Sequence, residues 1–202
     1  MIRQDRPYKL PVPTGPAALH PAVRAGAILL VGVELALWLS RLGGAPLRGD
    51  AIAAFGLSLA WTAEPYRLAS HVFLHGDPGH LVINLIPILL LGDAISLRWG
   101  VPALAGLTAA AALGGAAGFL VFGTSPAMIG ASGVAFGLAA AACLFWRELG
   151  LVHRVVAALM AASIPPAIFM FPGLAWEAHL AAIATTLGCA ALLSRFKAAR
   201  GD

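Results

Sequence analysis

Apolar positions dominate this chain, in runs too long for strands and too uniform for the one-sided helices of a soluble surface. Six stretches read as apolar helices, over residues 23–42, 80–97, 101–122, 131–146, 152–171 and 177–194. Short polar or Gly/Pro breaks separate them. The longest connection, 43–79, mixes "GGAPLRGD", a half-apolar piece and "DPG". It is too mixed to span and is expected to lie along the membrane interface, anchored by Trp61, Tyr66 and Arg67. Residues 1–22 are polar and Pro-rich and read as a flexible cytoplasmic arm; 23–196 form one domain, and 197–202 a short cytoplasmic tail. The apolar run after the arm is of span length with no A-x-A cleavage pattern behind it, so it is not read as a secretory signal. The pattern predicts an all-α polytopic membrane protein, a bundle of six transmembrane helices with an interfacial first loop.

Composition agrees. Of 202 residues, 60% are hydrophobic and 11% charged, and mean hydropathy is +0.87. A soluble domain has no way to hide that much apolar surface, so the lipid bilayer is the expected partner. The net charge of +4 raises nucleic acid as a partner. The basic residues are scattered at segment ends, with no basic face and no aromatic interleaving, which argues for no nucleic acid. Charge instead orients the bundle. Ten of the thirteen lysines and arginines fall on the side of the termini; Arg41, Arg48 and Arg67 fall on the other. The positive-inside rule then puts both termini in the cytoplasm. Trp99 and Trp146 sit at inner span ends, Trp38 and Trp176 near outer ones, as an aromatic belt predicts. The Ala/Gly/Arg-rich composition favours a bacterial inner membrane. Cys143 and Cys189 fall inside apolar stretches and read as small core residues.

Candidate chemistry comes from polar residues at one depth. The second, fourth and sixth spans run inward and end at arginines. Asn84 to Arg98, Ser132 to Arg147 and His179 to Arg195 measure roughly 21, 22 and 24 Å at about 1.5 Å per residue. All three polar residues therefore lie several Å below the outer surface, where polar groups are costly and face a bundle interior or a wet cavity. His80 and Asn84, at i and i+4, share a helix face. His71 and His75 have the same spacing. With no cysteine and few carboxylates beside them, structural hydrogen bonds are favoured over a metal, and no cofactor is expected.

"IGASGVAFG" (129–137) admits two readings. Gly133-x-x-x-Gly137, like Gly114-x-x-x-Gly118 on the third span, is a small-residue helix contact. Ser132 is also a candidate nucleophile, because a candidate base, His179, lies at matching depth, and a hydroxyl needs such a base. At a helix start, Ser132 adds backbone N–H groups for an oxyanion, with His80 and Asn84 as further donors. Glu177 is two residues from His179, an offset that points away from the imidazole, and Glu34 inside the first span is expected to snorkel or to pair with a neighbouring helix, with no role assigned.

From about residue 23 to 195 the chain resembles the rhomboid family of intramembrane serine proteases. "HVFLHGDPGHLVIN" (71–84) resembles the family's histidine-rich approach to the second span, ending in H-x-x-x-N; "GASG" (130–133) its G-x-S-G motif; "WEAHL" (176–180) its last-span histidine region; and Tyr66-Arg67 its Trp-Arg pair. The resemblance implies a serine endopeptidase with a Ser132–His179 dyad. Its oxyanion hole is formed by His80, Asn84 and the Ser132 N–H, with Gly130, Gly133, Phe136, Gly137 and Arg67 in support. It implies transmembrane protein substrates, admitted laterally near the second and fifth spans, and a mobile loop before the sixth. Four features depart from the family pattern: Phe136 replaces a common Tyr, Ser96 a common Glu, and Ala182 and Thr186 the usual glycines, while Pro87 interrupts the second span. Ala182 and Thr186 are expected to widen the contact between the fourth and sixth spans. Two other readings compete: a non-cutting rhomboid-like client binder, and a small transporter. The transporter predicts internal repeats, and none relates 23–122 to 131–195.

Overall fold

The computed structural model describes residues 9–45, 47–170 and 174–200, apart from the side chains of Ala167 and Met170. Helix α1 spans Pro21–Leu42, with Pro21 in its first turn and His20 Nδ1 accepting from the Ala22 N–H at 3.2 Å. The first loop folds into two short helices, α2 (Arg48–Phe55) and α3 (Arg67–Ser70). Helix α4 (Pro78–Trp99) starts where the Asp77 carboxylate accepts the His80 N–H at 2.9 Å. An N-cap aspartate followed by proline is a strong helix start. Helix α4 runs through Pro87 without a break and ends at Gly100 (φ +87), which reverses the chain into α5 (Val101–Phe122). Helix α6 (Ser132–Ala142) continues as a 3-10 turn over Cys143–Glu148, and α7 (Leu151–Met170) and α8 (Trp176–Arg200) complete the chain. Among the described residues there is no strand, only an isolated bridge between Leu57 and Met128.

By length and apolarity α1, α4, α5 and α8 suffice to cross a membrane. Of the two further apolar runs, α6 is an eleven-residue helix and α7 is apolar over Leu151–Pro166. The protein is thus an all-helical membrane protein with four candidate spans. Large apolar side chains such as Ile28, Val121, Leu159 and Leu192 point outward, a pattern suited to lipid.

Helices α5, α6 and α8 meet through small residues. A Cβ on Gly114 would lie 2.5 Å from Thr185 Oγ1, and one on Gly118 2.5 Å from the Ala181 Cβ. Both glycines of the G-x-x-x-G pattern therefore receive α8. Below them Leu91, Ile95, Leu138 and Leu149 form the fully buried floor.

Three expectations are corrected. From Lys9 onward the arm, expected to hang free, packs against the bundle. Leu10 and Leu19 are buried, the Leu10 N–H donates to Glu148 O at 2.7 Å, Lys9 Nζ donates to Arg147 O, and the His20 N–H meets Asp93 Oδ1 at 2.7 Å. Two leucines among prolines leave no periodic pattern, so their burial was not legible; residues 1–8 lie outside the described residues. Trp99 is not in the lipid belt but buried, edge-on to Phe145 at 5.0 Å. Cys143 and Cys189 are exposed, on outward faces, rather than in the core. In the tail, α8 continues to Arg200, and 201–202 lie outside the described residues. Ser96, in place of an acid, donates to Asp93 O, and Arg98 pairs with Glu148 at 2.9 Å.

Candidate active site

The site is built from two sides, and the first loop forms one of them. Helix α2 ends with carbonyls that have no partner within the helix. Arg67 donates to Ala53 O at 2.8 Å and Gly56 O at 2.7 Å, Tyr66 Oη to Ala54 O at 3.0 Å, and Ser70 Oγ to Phe55 O at 2.6 Å. Arg67 is buried and also holds Glu64, whose carboxyl it keeps below the ordinary range. Arg67, expected to anchor the loop at the interface, is instead buried as the cap of α2; Tyr66 is exposed.

The loop before Ser132 hangs from this scaffold. Leu57 and Met128 exchange backbone hydrogen bonds of 2.9 and 2.8 Å, and the Gly130 N–H donates to His71 O at 2.9 Å. His71 Nδ1 is 2.9 Å from Arg67 O, and the buried His75 accepts the Ala131 N–H on Nε2 at 3.4 Å. The loop histidines thus make the hydrogen bonds expected of them. Burial lowers the pKa of both, that of His75 to about 4, so His75 stays neutral and able to accept.

Gly130 has φ +112, and a Cβ there would lie 2.9 Å from the His80 ring. Backbone conformation and space both require glycine. The same point is 2.9 Å from His80 Nε2 and 3.7 Å from Asn84 Nδ2. His80 Nδ1 accepts the Gly76 N–H at 3.3 Å, which places the ring proton on Nε2, toward Gly130. Asn84 is buried, and its Nδ2 has no hydrogen-bond partner among the described residues. Two donors therefore converge beside the start of α6, where the Ser132 N–H is also free of intrahelical pairing.

The other side is α8. His179 Nε2 lies 2.8 Å from Ser132 Oγ. The Phe136 ring stacks on the imidazole with centroids 4.4 Å apart and an angle of 30°. The contact is tight, against the expected widening. A Cβ on Gly133 would touch Ala182 Cβ at 3.6 Å, and one on Gly137 would lie 2.5 Å from Thr186 Oγ1. The glycines on α6 accept the larger residues of α8, so small size is supplied by one helix instead of both. Glu177 is buried, and no hydrogen bond joins it to His179. His179 Nδ1 has no hydrogen-bond partner among the described residues. A cavity of about 10 Å³, lined by Gly130, Ser132, Gly133 and Ala178 among others, adjoins the hydroxyl, near the size one water needs.

Glu34, expected to snorkel or to pair with a neighbouring helix, pairs with Arg48 of α2; sequence reading missed Arg48 as its partner and the Leu57–Met128 bridge. Their only signal was a carboxylate in an apolar run and an arginine in a half-apolar loop. The loop before α8 includes 171–173, outside the described residues. No three His, Cys, Asp or Glu side chains gather as a metal site among the described residues.

Comparison with known proteins returns a match to the rhomboid domain over residues 62–196, two thirds of the chain. No curated protein matches it. The matched region runs from the first loop through α8 and holds Ser132, His179, His80 and Asn84, and the chain belongs to the rhomboid family of integral membrane proteins.

Proposed function

We propose that this protein is an intramembrane serine protease that hydrolyses peptide bonds in or near transmembrane segments of membrane proteins. The observation that carries the reading is the 2.8 Å contact between Ser132 Oγ and His179 Nε2. In the proposed reaction Ser132 Oγ attacks the scissile carbonyl carbon as His179 Nε2 takes its proton. The tetrahedral oxyanion is received by Asn84 Nδ2, His80 Nε2–H and the Ser132 N–H, donors fixed before the charge develops. Collapse expels the amine, which takes the proton from His179. Water then attacks the acyl-enzyme with His179 as base, releasing the acid and restoring the serine. Stacking on Phe136 orients the imidazole, the part played in a triad by an acid.

On this reading α6 and α7 join the four longer helices to make six spans. Both termini are cytoplasmic, in a bacterial inner membrane, and substrates enter laterally near α4 and α7. The rival, a rhomboid-like protein that binds transmembrane clients without cutting them, rests on Ala182 and Thr186. The fit of those two side chains against Gly133 and Gly137 favours the protease. Co-expression with a panel of single-span membrane proteins tests it: fragments should appear with the wild type and vanish with Ser132→Ala, expressed and folded equally. Fragments that persist in Ser132→Ala would reject the assignment; clients that co-purify uncut with both would favour the rival.

A further inference from the structure

Glu34 is a carboxylate within α1, eight residues before its end, and only 4% exposed. A charge at such a depth persists only with a partner. Arg48, from α2, supplies it as a two-pronged pair, Nη2 to Oε1 and Nη1 to Oε2 at 3.1 Å. Nη1 also donates to the backbone carbonyl of His75. The fully buried His75 ring in turn accepts the Ala131 N–H, and lies edge-on to His80 with centroids 5.1 Å apart. One residue, held at its carbonyl by the Arg48 that Glu34 orients, thus touches both flanks of Gly130: the Gly130–Ala131 peptide and the imidazole of His80. His75 Nδ1 has no hydrogen-bond partner among the described residues, so packing and the backbone anchor place the ring.

We propose that Glu34 and Arg48 are positioning residues for the Ser132 site, acting through His75 to set the Gly130–Ala131 peptide and the His80 ring. The proposal rests on the hydrolase reading. It extends the site beyond the region that matches the rhomboid domain, since both residues precede residue 62. The geometry explains a division of labour within one guanidinium. Its fork matches the carboxylate, which orients it, and one nitrogen is thereby aimed at His75 O. A lysine keeps the charge but not the fork. Engaging the Ala131 N–H on His75 leaves the next N–H, that of Ser132, for the oxyanion.

The test uses the purified full-length protein in proteoliposomes. Two rates are read, acylation of Ser132 by a fluorophosphonate and kcat with KM for a cleaved transmembrane substrate, beside the thermal unfolding midpoint. Glu34→Gln and Arg48→Lys should lower acylation and kcat by about tenfold to a hundredfold, as expected for donors misplaced by up to an ångström, with KM little changed. The exchange Glu34→Arg with Arg48→Glu is the sharper variant. It restores an ion pair and so should return the unfolding midpoint toward wild type. Glu at position 48 has no proton to give His75 O, so acylation should stay slow. Wild-type acylation rates in Arg48→Lys or in the exchanged protein would overturn the proposal while leaving the protease reading intact. A wild-type protein that does not react at all would instead overturn the protease reading, and the proposal with it.

Discussion

The two flanks of Ser132 are held by different physics. Toward α8 the contact is almost wholly steric: glycines on α5 and α6 receive Ala181, Ala182, Thr185 and Thr186, and the one side-chain hydrogen bond across it among the described residues is the Ser132–His179 pair. Toward the first loop the contact is a lattice of hydrogen bonds, through Arg67, His71, His75 and the Leu57–Met128 bridge. A steric seam tolerates exchange of bulk between its two faces, because only the sum of volumes matters. A hydrogen-bonded lattice does not, because each donor has one direction. The difference explains how Ala182 and Thr186 can replace glycines without parting the helices, and why Gly130 has no such freedom.

The sharpest break in this contrast is Gly130→Ala. The new Cβ meets both an unfavourable φ and the His80 ring, and displacement of the proposed oxyanion donors should cost about a hundredfold or more in kcat. Cleavage assays on the folded variant check it. The loop side should also be pH-sensitive. Burial, with a smaller push from His80, holds the His75 imidazole at about 4, below its ordinary 6.5. Between those values the unfolded chain binds a proton that the folded chain does not. Stability should be full above pH 6.5 and fall as the pH drops toward 4, by up to about 3 kcal/mol. Unfolding midpoints across that range, with a shallower fall in His75→Asn, measure it.

On the steric side, Gly137→Ala should destabilise by about 1–3 kcal/mol through overpacking against Thr186 and Ala111. The double variant Gly137→Ala with Thr186→Gly should recover the part of that loss due to Thr186, while the Ala111 Cβ, 2.6 Å from the new methyl, keeps the rest. Failure to recover would mean that the seam is not interchangeable and would erase the contrast. The smallest effect expected is for Phe136→Leu. Losing the stacked ring on His179 removes about 1 kcal/mol of orienting contact, a severalfold fall in kcat with normal folding.

The same contrast governs what the sequence reveals. Helix positions were legible because their punctuation is chemical: Asp77-Pro78 starts α4, Gly100 ends it, and Gly123 ends α5. The matching depth of Ser132 and His179 was legible by counting residues to the arginines that end their spans. Inside and outside faces were not legible, because in a membrane both are apolar; Cys143, Cys189 and Trp99 were misplaced for that reason. The effect of Ala182 and Thr186 was misjudged because each helix was read alone, while the fit belongs to the pair. The loop lattice was least legible. Glu34–Arg48 and Arg67–Gly56 join residues 14 and 11 apart across turns that no periodicity encodes.

The central claim is that His179 activates Ser132. Mass spectrometry of the intact protein after treatment with a fluorophosphonate tests it directly. The account predicts a single adduct on Ser132 in the wild type and none, on the same timescale, in His179→Ala. An unreactive Ser132 in folded wild-type protein, or equal labelling in the two proteins, would contradict it.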